Sequence, residues 1–375
     1  MTFIKRHNFD IVTITPIHIG SGESYYASEY VTGKIKDKNG NLQPTFRRIN
    51  LAKYFLSLDE DKQEKLLANL SDENFSLKDF DSKVSNEFRA YTSYNKCKQI
   101  PTAKQAIEES IKSLNELYIP GSSIKGAVKT ALLYDSIDLE DIPSIINNVV
   151  NRGRVNRRDY NDFIDSYFSS DSRSNKAQGS IMKFMQVSDT STLKMPSVYD
   201  VVSIMANEKG SKQFYKRNGM TVKTFLETIR PKLKLKSSIT TNFDSKTYSR
   251  LDLDDKKHLL DIDYIKKAIF NFSKAYIDYE LEFSEKYDMG FLSKFYKDME
   301  SKNSKDKPLL KIGAGSGFLA TTIGLKIKEY DDEYFTDYFN QVRETLRRTY
   351  PFEFPKSRKI IVKGAKPLGW TQLRF

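Results

Sequence analysis

Residues 118–135, YIPGSSIKGAVKTALLYD, form the stretch on which the fold prediction depends most. A Pro-Gly turn ends at Gly121, and Ser122 or Ser123 supplies an N-cap for the next helix. Beyond them, apolar residues recur three and four positions apart, which places them on one face of that helix. Lys125 lies near the helix start, which already carries a partial positive charge. A lysine is unfavourable there unless an anion lies nearby, and our hypothesis for that anion is an RNA phosphate.

Two further residues of this helix bear on the hypothesis. Lys129 lies one turn after Lys125, so the two ammonium groups share a face. Gly126 costs about 1 kcal/mol relative to alanine inside a helix, and the close approach of an RNA backbone would explain it. The alternative is an ordinary amphipathic helix with solvated lysines and a glycine that has no role. The residues of the helix alone leave both interpretations open.

A second glycine-rich stretch, KIGAGSGFLATTIG, occupies residues 311–324 after a short predicted strand. It presents Gly313, Gly315 and Gly317, but it lacks the Gly-Lys-Ser/Thr ending of a P-loop. It also fails the dinucleotide fingerprint, because Phe318 stands where the third glycine belongs. A flexible turn with exposed amides and an adjacent aromatic ring suits a phosphate and a stacked base. A tight strand-to-helix turn is the alternative.

A third loop, HIGSGES, begins at His18 after the first predicted strand. A single histidine can act as a general acid or base in metal-free RNA cleavage, although a hydrogen-bonded loop histidine is the alternative. The nearby sequence offers no cysteine, second histidine or HExxH spacing for a metal. Asp189, in MQVSDTST, is predicted to close a turn. We therefore predict no metal and no cofactor.

Composition limits the class of protein. The 375 residues suffice for two domains, and 39% hydrophobic and 13% aromatic residues suffice for two cores. The net charge of +12 indicates a nucleic-acid partner, or else reflects only a lysine-rich proteome. The single Cys97 excludes a disulfide framework. No apolar run approaches the roughly 20 residues of a membrane span, and no signal peptide is evident, so we expect a soluble cytoplasmic protein.

Hydrophobic periodicity predicts an α+β fold of two related domains, with a boundary near residue 205. Helices are expected in a helical insertion at about 51–117, after the motif turn, over about 254–299 and near 332–348. Strands are expected at 9–17, in a hairpin within 29–49, in IMKFMQVSDT and MPSVYDVVSIMA, and on both sides of Arg230-Pro231.

In this order, the motifs ITPIHIGSGE, YIPGSSIKGAVKTALL, MQVSDTS and KIGAGSGFLATTIG resemble those of the RAMP proteins of CRISPR effector complexes. With the chain length and the closing KPLGWTQLRF, the resemblance is to the type III-A (Csm) subunit that caps the crRNA 3′ end. It implies two ferredoxin-like, RRM-related domains, residues 1–205 with the helical insertion and 206–375 with the glycine-rich loop. It also implies a non-catalytic ribonucleoprotein subunit of antiviral defence that binds the 3′ region of crRNA and supports its maturation.

The resemblance further implies partners and binding residues. The partners are crRNA and the other effector subunits (the backbone RAMP and small helical subunits), with host nucleases as candidates for crRNA trimming. A basic cluster at Arg152, Arg154, Arg157 and Arg158 extends the RNA groove, or else is a solvated surface or a subunit contact. The residues predicted to bind RNA are His18, Gly20, Ser21, Gly22, Gly121, Ser122, Ser123, Lys125, Gly126, Lys129, Arg152, Arg154, Lys311, Gly313, Gly315, Ser316, Gly317 and Phe318.

Two other functions remain open at this point. One is a metal-independent crRNA-processing endoribonuclease of RAMP architecture, with His18 as its active centre. The other is a general interaction protein whose charge reflects its proteome. Because the sequence offers His18 no catalytic partners, we predict a protein that is not an enzyme.

Overall fold

The structure, a computed structural model, describes residues 2–151, 154–155, 157–170, 179–345 and 353–375. The strands are β1 (Thr2–Thr13), β2 (Gly20–Tyr25), β3 (Tyr30–Lys36), β4 (Leu42–Ile49), β5 (Arg89–Asn95), β6 (Ile107–Ser110), β7 (Lys112–Ser113), β8 (Glu116–Leu117), β9 (Val150–Asn151), β10 (Arg154–Val155), β11 (Met185–Val187), β12 (Ser197–Ala206), β13 (Lys212–Phe214), β14 (Lys216–Arg217), β15 (Met220–Thr221), β16 (Lys223–Thr228), β17 (Lys234–Asp244), β18 (Leu309–Lys311), β19 (Ser357–Ile361) and β20 (Trp370–Arg374). The α-helices are α1 (Leu51–Leu56), α2 (Glu60–Leu70), α3 (Leu77–Phe80), α4 (Gly121–Ser136), α5 (Ile142–Val149), α6 (Arg157–Phe168), α7 (Ser245–Leu251), α8 (Ile262–Lys286), α9 (Gly290–Lys302), α10 (Gly324–Tyr330) and α11 (Asp332–Thr345).

A sheet of five described strands, in the order β11-β17-β1-β20-β18, carries the largest core. Alternation along β1 buries Phe9 and Ile11, and Ile11 lies directly opposite the buried Leu235 of β17. Burying a side chain of this size stabilises the fold by about 1.5–3 kcal/mol. All neighbours in this sheet are antiparallel, so β1, β11 and β18 run parallel to one another. The loops after these three strands therefore all lie at the same end of the sheet.

A second sheet has nine described strands, in the order β2-β6-β16-β12-β5-β4-β3, with β13 and β19 also paired to β12. The mixture of these sheets with packed helices confirms the predicted α+β class. Both sheets combine strands from before and after residue 205, and β1 pairs with β17 and β20. Strand pairing thus offers no support for a boundary there, and the two-domain division stays a prediction.

Helix α4 packs against α8, and both contribute to the core of the five-stranded sheet. The predicted apolar face of α4 is confirmed, since Ile124, Val128 and Leu132 are fully buried. Tyr134 near the end of α4 meets Phe272 of α8 edge to face, with ring centroids 5.5 Å apart. No helix within the described ranges is both long and apolar enough to cross a membrane.

The predicted helical insertion at about 51–117 is wrong in its second half. Helices α1–α3 end at Phe80, and β5–β8 occupy much of the segment 89–117. Ile107 is fully buried in β6, which pairs with β2 and β16, so tertiary pairing overrides its helix-like spacing. Leu114 and Asn115 both have positive φ and form the two-residue turn between β7 and β8. Leucine rarely adopts this conformation, so the turn had no sequence signal.

Candidate nucleic-acid interface

Three loops singled out in the sequence come directly after the three parallel strands of the five-stranded sheet. The loop after β1 contains His18, the loop after β11 contains Asp189, and the loop after β18 contains residues 313–317. Strands β11 and β18 are the opposite edges of this sheet, and four strand spacings of about 4.8 Å separate their loops by roughly 19 Å. The loop after β1 lies between them.

The loop after β18 is held against the loop after β1 by backbone contacts. The Ala314 amide donates a hydrogen bond to the His18 carbonyl oxygen at 2.8 Å. Gly313 has φ +75°, and a Cβ there would come closer than 3.0 Å to the same oxygen. Glycine at this position therefore permits the two loops to pack together. This packing brings the loop after β1 and the loop after β18 into one surface.

Gly315 and Gly317 in the same loop have amides available for a ligand. Both have positive φ, at +82° and +77°, and Gly317 is exposed with no atom within 4 Å of a built Cβ. No described residue accepts a hydrogen bond from either amide. The Ser316 hydroxyl donates to the Gly313 carbonyl oxygen at 2.7 Å, which holds the turn. Backbone amides exposed in such a turn form a concavity that suits an anion.

The first residues of β2 continue this surface. Gly20, Ser21 and Gly22 are exposed, and Gly22 has φ +93° with open space around it. The Ser21 hydroxyl donates to the Glu109 carbonyl oxygen at 3.1 Å. We call residues 20–22 and 313–318 together the glycine surface.

His18 does not present its ring to solvent, because it is only 4% exposed. Its Nδ1 lies 2.6 Å from the Glu227 carbonyl oxygen, which can only accept, so Nδ1 carries the hydrogen. Burial lowers the pKa of His18, against the opposing effect of that hydrogen bond. A buried neutral imidazole that is held by a carbonyl oxygen agrees with the alternative given for His18 in the sequence analysis, a hydrogen-bonded loop histidine.

Beside His18 lies a buried polar network that sequence reasoning missed. The Glu227 carboxylate is completely buried and accepts from Tyr25 Oη at 2.9 Å and from Ser93 Oγ at 3.2 Å. Lys112 Nζ pairs with it at 2.5 Å. These partners come from β2, β5 and β7, distant in sequence from β16, so no spacing could have indicated them. The network joins β2, β5 and β16 of the nine-stranded sheet to β7 of the two-stranded β7-β8 sheet.

The start of α4 is capped differently from the prediction. The Gly121 amide donates to the Asp189 carboxylate at 2.7 Å, and neither Ser122 nor Ser123 caps the helix with its side chain. A Cβ on Gly121 would come closer than 3.0 Å to the Val187 carbonyl oxygen. A carboxylate also complements the helix dipole, which explains why it displaces a neutral hydroxyl cap. The anion at this helix start is therefore one of the protein's own groups.

The two lysines of α4 also have partners within the protein. Lys125 Nζ donates to the carbonyl oxygens of Met182 and Met185, each at 2.8 Å, and partial burial lowers the pKa of Lys125. Lys129 Nζ pairs with Asp165 at 3.1 Å. Gly126, between them, is exposed and has no atom within 4 Å of a built Cβ. Phosphate contacts by these lysines stay a prediction, and their present partners favour a structural role.

The basic cluster after α5 is described only in part. Arg152 lies outside the described residues. Arg154 pairs through its backbone with Asn151, in the two-stranded ladder of β10 and β9. The RNA-binding role of both arginines stays a prediction.

Lys311 was predicted to bind RNA beside the glycine-rich loop. In the structure its side chain is buried, and the residue is only 8% exposed. Its Nζ lies 2.9 Å from Tyr276 Oη and 5.6 Å from the ring centroid of Trp370. Nearby, Arg358 Nε contacts both carboxylate oxygens of Glu280, at 2.8 and 2.9 Å. The sequence did not predict the Arg358–Glu280 ion pair, because neither α8 nor β19 contains a motif that indicates their contact.

The described residues contain no group of three or more His, Cys, Asp or Glu side chains that could hold a metal ion. Cys97 is partly buried, and burial raises the pKa of its thiol. Such a thiol stays protonated at neutral pH, which makes it a poor nucleophile.

Comparison with protein families matches residues 10–320 to the RAMP superfamily. The chain is 24% identical to the CRISPR system Cms protein Csm5 of Methanocaldococcus jannaschii, over 96% of this chain and 87% of the relative. It is also 24% identical to the Streptococcus thermophilus protein of the same name, over 45% of this chain and 52% of that relative.

Two solved structures share the fold along nearly the whole chain. One is a chain of a Csm-crRNA-target RNA ternary complex of a type III-A CRISPR-Cas system, with TM-score 0.68, 23% identity and complete coverage of both chains. The other is T. onnurineus Csm5, with TM-score 0.62, 18% identity and coverage of 96% of this chain and 99% of that one.

Proposed function

Because the chain belongs to the RAMP superfamily, we propose that it is an RNA-binding subunit of a type III-A (Csm) CRISPR effector complex. In this role it holds the 3′ region of the crRNA on the glycine surface and supports crRNA maturation and complex assembly in antiviral defence. The observation that carries the proposal is the pair of unengaged amides at Gly315 and Gly317. Similarity to Csm5 proteins over most of the chain supports the choice of complex.

Backbone amides in an open turn contact phosphates without reading bases, so binding on the glycine surface is independent of RNA sequence. The net charge of +12 attracts the RNA and makes its affinity fall with salt. The partners are crRNA and the other subunits of the effector. No feature of the described residues supports docking of a host nuclease, which stays a prediction from the resemblance.

The subunit does not cleave the RNA that it binds. Support for this comes from His18, whose ring is buried and whose Nδ1 is held by a carbonyl oxygen. A general acid or base must come within hydrogen-bond distance of the atom whose proton it transfers. The same burial weighs against the alternative, a metal-independent RAMP endoribonuclease.

Substitution of Gly317 tests the proposed surface, with Gly40 as a matched control. Both glycines are exposed, have positive φ and have no atom within 4 Å of a built Cβ, but Gly40 lies in the turn between β3 and β4. Each valine variant incurs a similar strain of about 1–2 kcal/mol. We expect Gly317→Val to weaken single-stranded RNA binding at least about tenfold, the loss of one charge-assisted hydrogen bond.

The measurement is fluorescence anisotropy of labelled RNA with the purified full chain at one fixed salt concentration. Gly40→Val should bind as the wild type does. In cells, Gly317→Val should yield effector complexes depleted in this subunit and carrying over-long crRNA. Equal RNA affinity of the two variants would reject the glycine surface as the binding site.

A further inference from the structure

The first half of strand β1 is paired along only one of its two sides. Strand β17 pairs with β1 from Thr2 to Val12, whereas β20 pairs with the other side of β1 only from Asp10 to Thr13. Among the described residues, none forms a backbone hydrogen bond with that other side between residues 4 and 9. Residues 4–9 therefore form an open edge of the five-stranded sheet, which we call the β1 edge.

Hydrogen bonds at the end of β1 show which of its backbone groups point to this edge. The Thr13 amide donates to the carbonyl oxygen of Leu233, next to β17, whereas the Ile14 amide donates to β20 on the other side. Backbone groups alternate in direction along a strand, and the pairing of β1 with β17 is unbroken. The residues whose amides and carbonyl oxygens point to the β1 edge are therefore Ile4, Arg6 and Asn8.

The side chains beside the β1 edge leave both faces of the strand accessible. Ile4 and Arg6 are exposed on one face and Lys5 on the other, and Ile4 is 68% exposed. An open edge of this kind is a template for a further strand. Another extended peptide matches the regular spacing of amides and carbonyl oxygens, so its main chain can satisfy all of them.

Charge narrows the choice of occupant. Residues 2–9 contain Lys5 and Arg6 and no acidic residue. A second copy of this chain, paired antiparallel and centred on Arg6, would place two arginines directly opposite each other, which is unfavourable. A strand that carries aspartate or glutamate there gains an opposite-charge pair instead. RNA matches the edge less well, because the carbonyl oxygens between the amides repel phosphate oxygens.

We propose that the β1 edge binds an acidic, extended segment of another protein subunit, which adds a strand to the five-stranded sheet. Residue 6 lies about 23 Å along β1 from residue 13, after which the loop of the glycine surface begins. The added strand and the RNA therefore bind at opposite ends of β1 and do not compete. The choice of an effector subunit as the source of the segment rests on the proposed function, whereas the surface itself rests on the geometry and charge of β1.

Hydrogen exchange at single-residue resolution tests the inference in the full chain alone, with crRNA, and in the effector complex purified from cells. In the chain alone, the amides of Arg6 and Asn8 should exchange fast, whereas those of Lys5 and His7, which point to β17, should exchange slowly. In the effector complex, the amides of Arg6 and Asn8 should slow at least about tenfold, because each gains a hydrogen bond. Lys5 and His7 are internal controls.

A proline at residue 8 removes an amide from the β1 edge without removing a bond to β17. Asn8→Pro should fold, since proline is tolerated in an edge strand where the amide faces solvent. Asn8→Ala is the matched control, because it loses the same side chain and keeps the amide. Titrated into effector complex purified from cells that lack this subunit, Asn8→Pro should bind at least about tenfold more weakly than Asn8→Ala. The two variants should bind single-stranded RNA equally.

A second variant keeps the test decisive if Asn8→Pro does not fold. Arg6→Glu changes an exposed side chain and places a carboxylate against the acidic segment, so it should also weaken binding to the effector at least about tenfold. Lys38→Glu is its control, because Lys38 is equally exposed but lies in the turn between β3 and β4. It should bind the effector as the wild type does.

Several results would overturn the inference. Fast exchange at Arg6 and Asn8 in an effector complex that contains this subunit would do so and leave the proposed function intact, as would equal effector affinity of Asn8→Pro and Asn8→Ala. Slow exchange with crRNA alone would assign the β1 edge to RNA, and slow exchange in the concentrated free chain would assign it to a second copy. Absence of the chain from the purified effector would reject the proposed function as well.

Discussion

The carboxylate of Asp189 lies 2.7 Å from the amide nitrogen of Gly121, so a loop 68 residues further along the chain caps α4. The sequence predicted an anion at this helix start and suggested an RNA phosphate for it. The group is a carboxylate from the loop after β11, brought close because Gly121 packs directly on the backbone at Val187. This contact sets the expected behaviour of several variants.

Replacing Asp189 by alanine should lower the free energy of unfolding by about 1–2 kcal/mol, because the cap and its attraction to the helix dipole are both lost. Asp189→Asn should lose less, since an amide oxygen still accepts from Gly121. Thermal or urea unfolding of the purified chain measures both variants. Equal stability of Asp189→Ala and wild type would contradict the capping role.

Gly121 and Gly126 lie in the same helix but should respond oppositely to alanine. Gly121→Ala forces a Cβ against the Val187 carbonyl oxygen and should destabilise by several kcal/mol, in the upper range of single substitutions. Gly126→Ala meets open space and should stabilise the helix by about 1 kcal/mol. The unfolding midpoints of the pair measure this difference. Similar unfolding midpoints for the two variants would contradict the close packing of Gly121 against the Val187 carbonyl oxygen.

Lys125→Met should act on stability rather than on RNA affinity. Two carbonyl oxygens lose their donor, which should cost about 1–3 kcal/mol. The slope of log affinity for single-stranded RNA against log salt should stay unchanged, whereas a lost phosphate contact would lower it by about 0.7. Lys129→Met, which removes a partly exposed ion pair, is the control and should change stability by less than about 1 kcal/mol.

His18→Ala should leave RNA uncut, as we expect wild type to do, when either is incubated with crRNA precursor and a chelator. Its effect should be on folding, with a loss of about 0.5–1.5 kcal/mol, because the Glu227 carbonyl oxygen loses one donor and keeps the Ser110 hydroxyl as the other. Gel analysis of the RNA and thermal unfolding together measure this. Cleavage by wild type that disappears in the variant would support the endoribonuclease instead.

Lys311 should make stability depend on pH. Burial lowers its pKa from 10.5 to about 8, Arg358 adds to the lowering, and Glu280 opposes it. The other titratable group in contact, Tyr276, stays neutral because burial raises its pKa well above the usual value. Between about pH 8 and 10.5 the unfolded chain holds the Lys311 proton that the folded chain has released. Stability should therefore rise with pH across this window.

The measurement is urea unfolding of wild type and Lys311→Met at a series of pH values. As pH rises through that window, the free energy of unfolding of wild type should increase relative to that of Lys311→Met, by at most about 3 kcal/mol. Below it, where Lys311 is charged in both states, the difference should be constant. A difference independent of pH throughout would contradict the burial of a charged Lys311.

Local pattern was sufficient for much of the fold. The alternation in β1 and the helical spacing in α4 predicted both elements and their buried faces, because each period is a property of the backbone itself. The loops at residues 20–22 and 313–317 were also recognisable, since the positive φ of Gly22, Gly313, Gly315 and Gly317 leaves few alternatives to glycine. What the sequence could not distinguish was whether a glycine accommodates the protein's own backbone, as Gly313 does, or faces open space, as Gly317 does.

The sequence by itself thus determined the α+β class, the RAMP resemblance and a basic chain with glycine loops. Only the tertiary structure decided that the segment 107–117 contains the three strands β6, β7 and β8 and that Asp189 caps α4. It also decided that Lys125 is engaged by carbonyl oxygens and that Lys311 and Arg358 share a buried cavity. The reason is physical, because each of these outcomes depends on groups that are distant in sequence. In addition, the energy of a charged side chain depends strongly on how deeply it is buried, and the adjacent residues of the chain do not determine that burial.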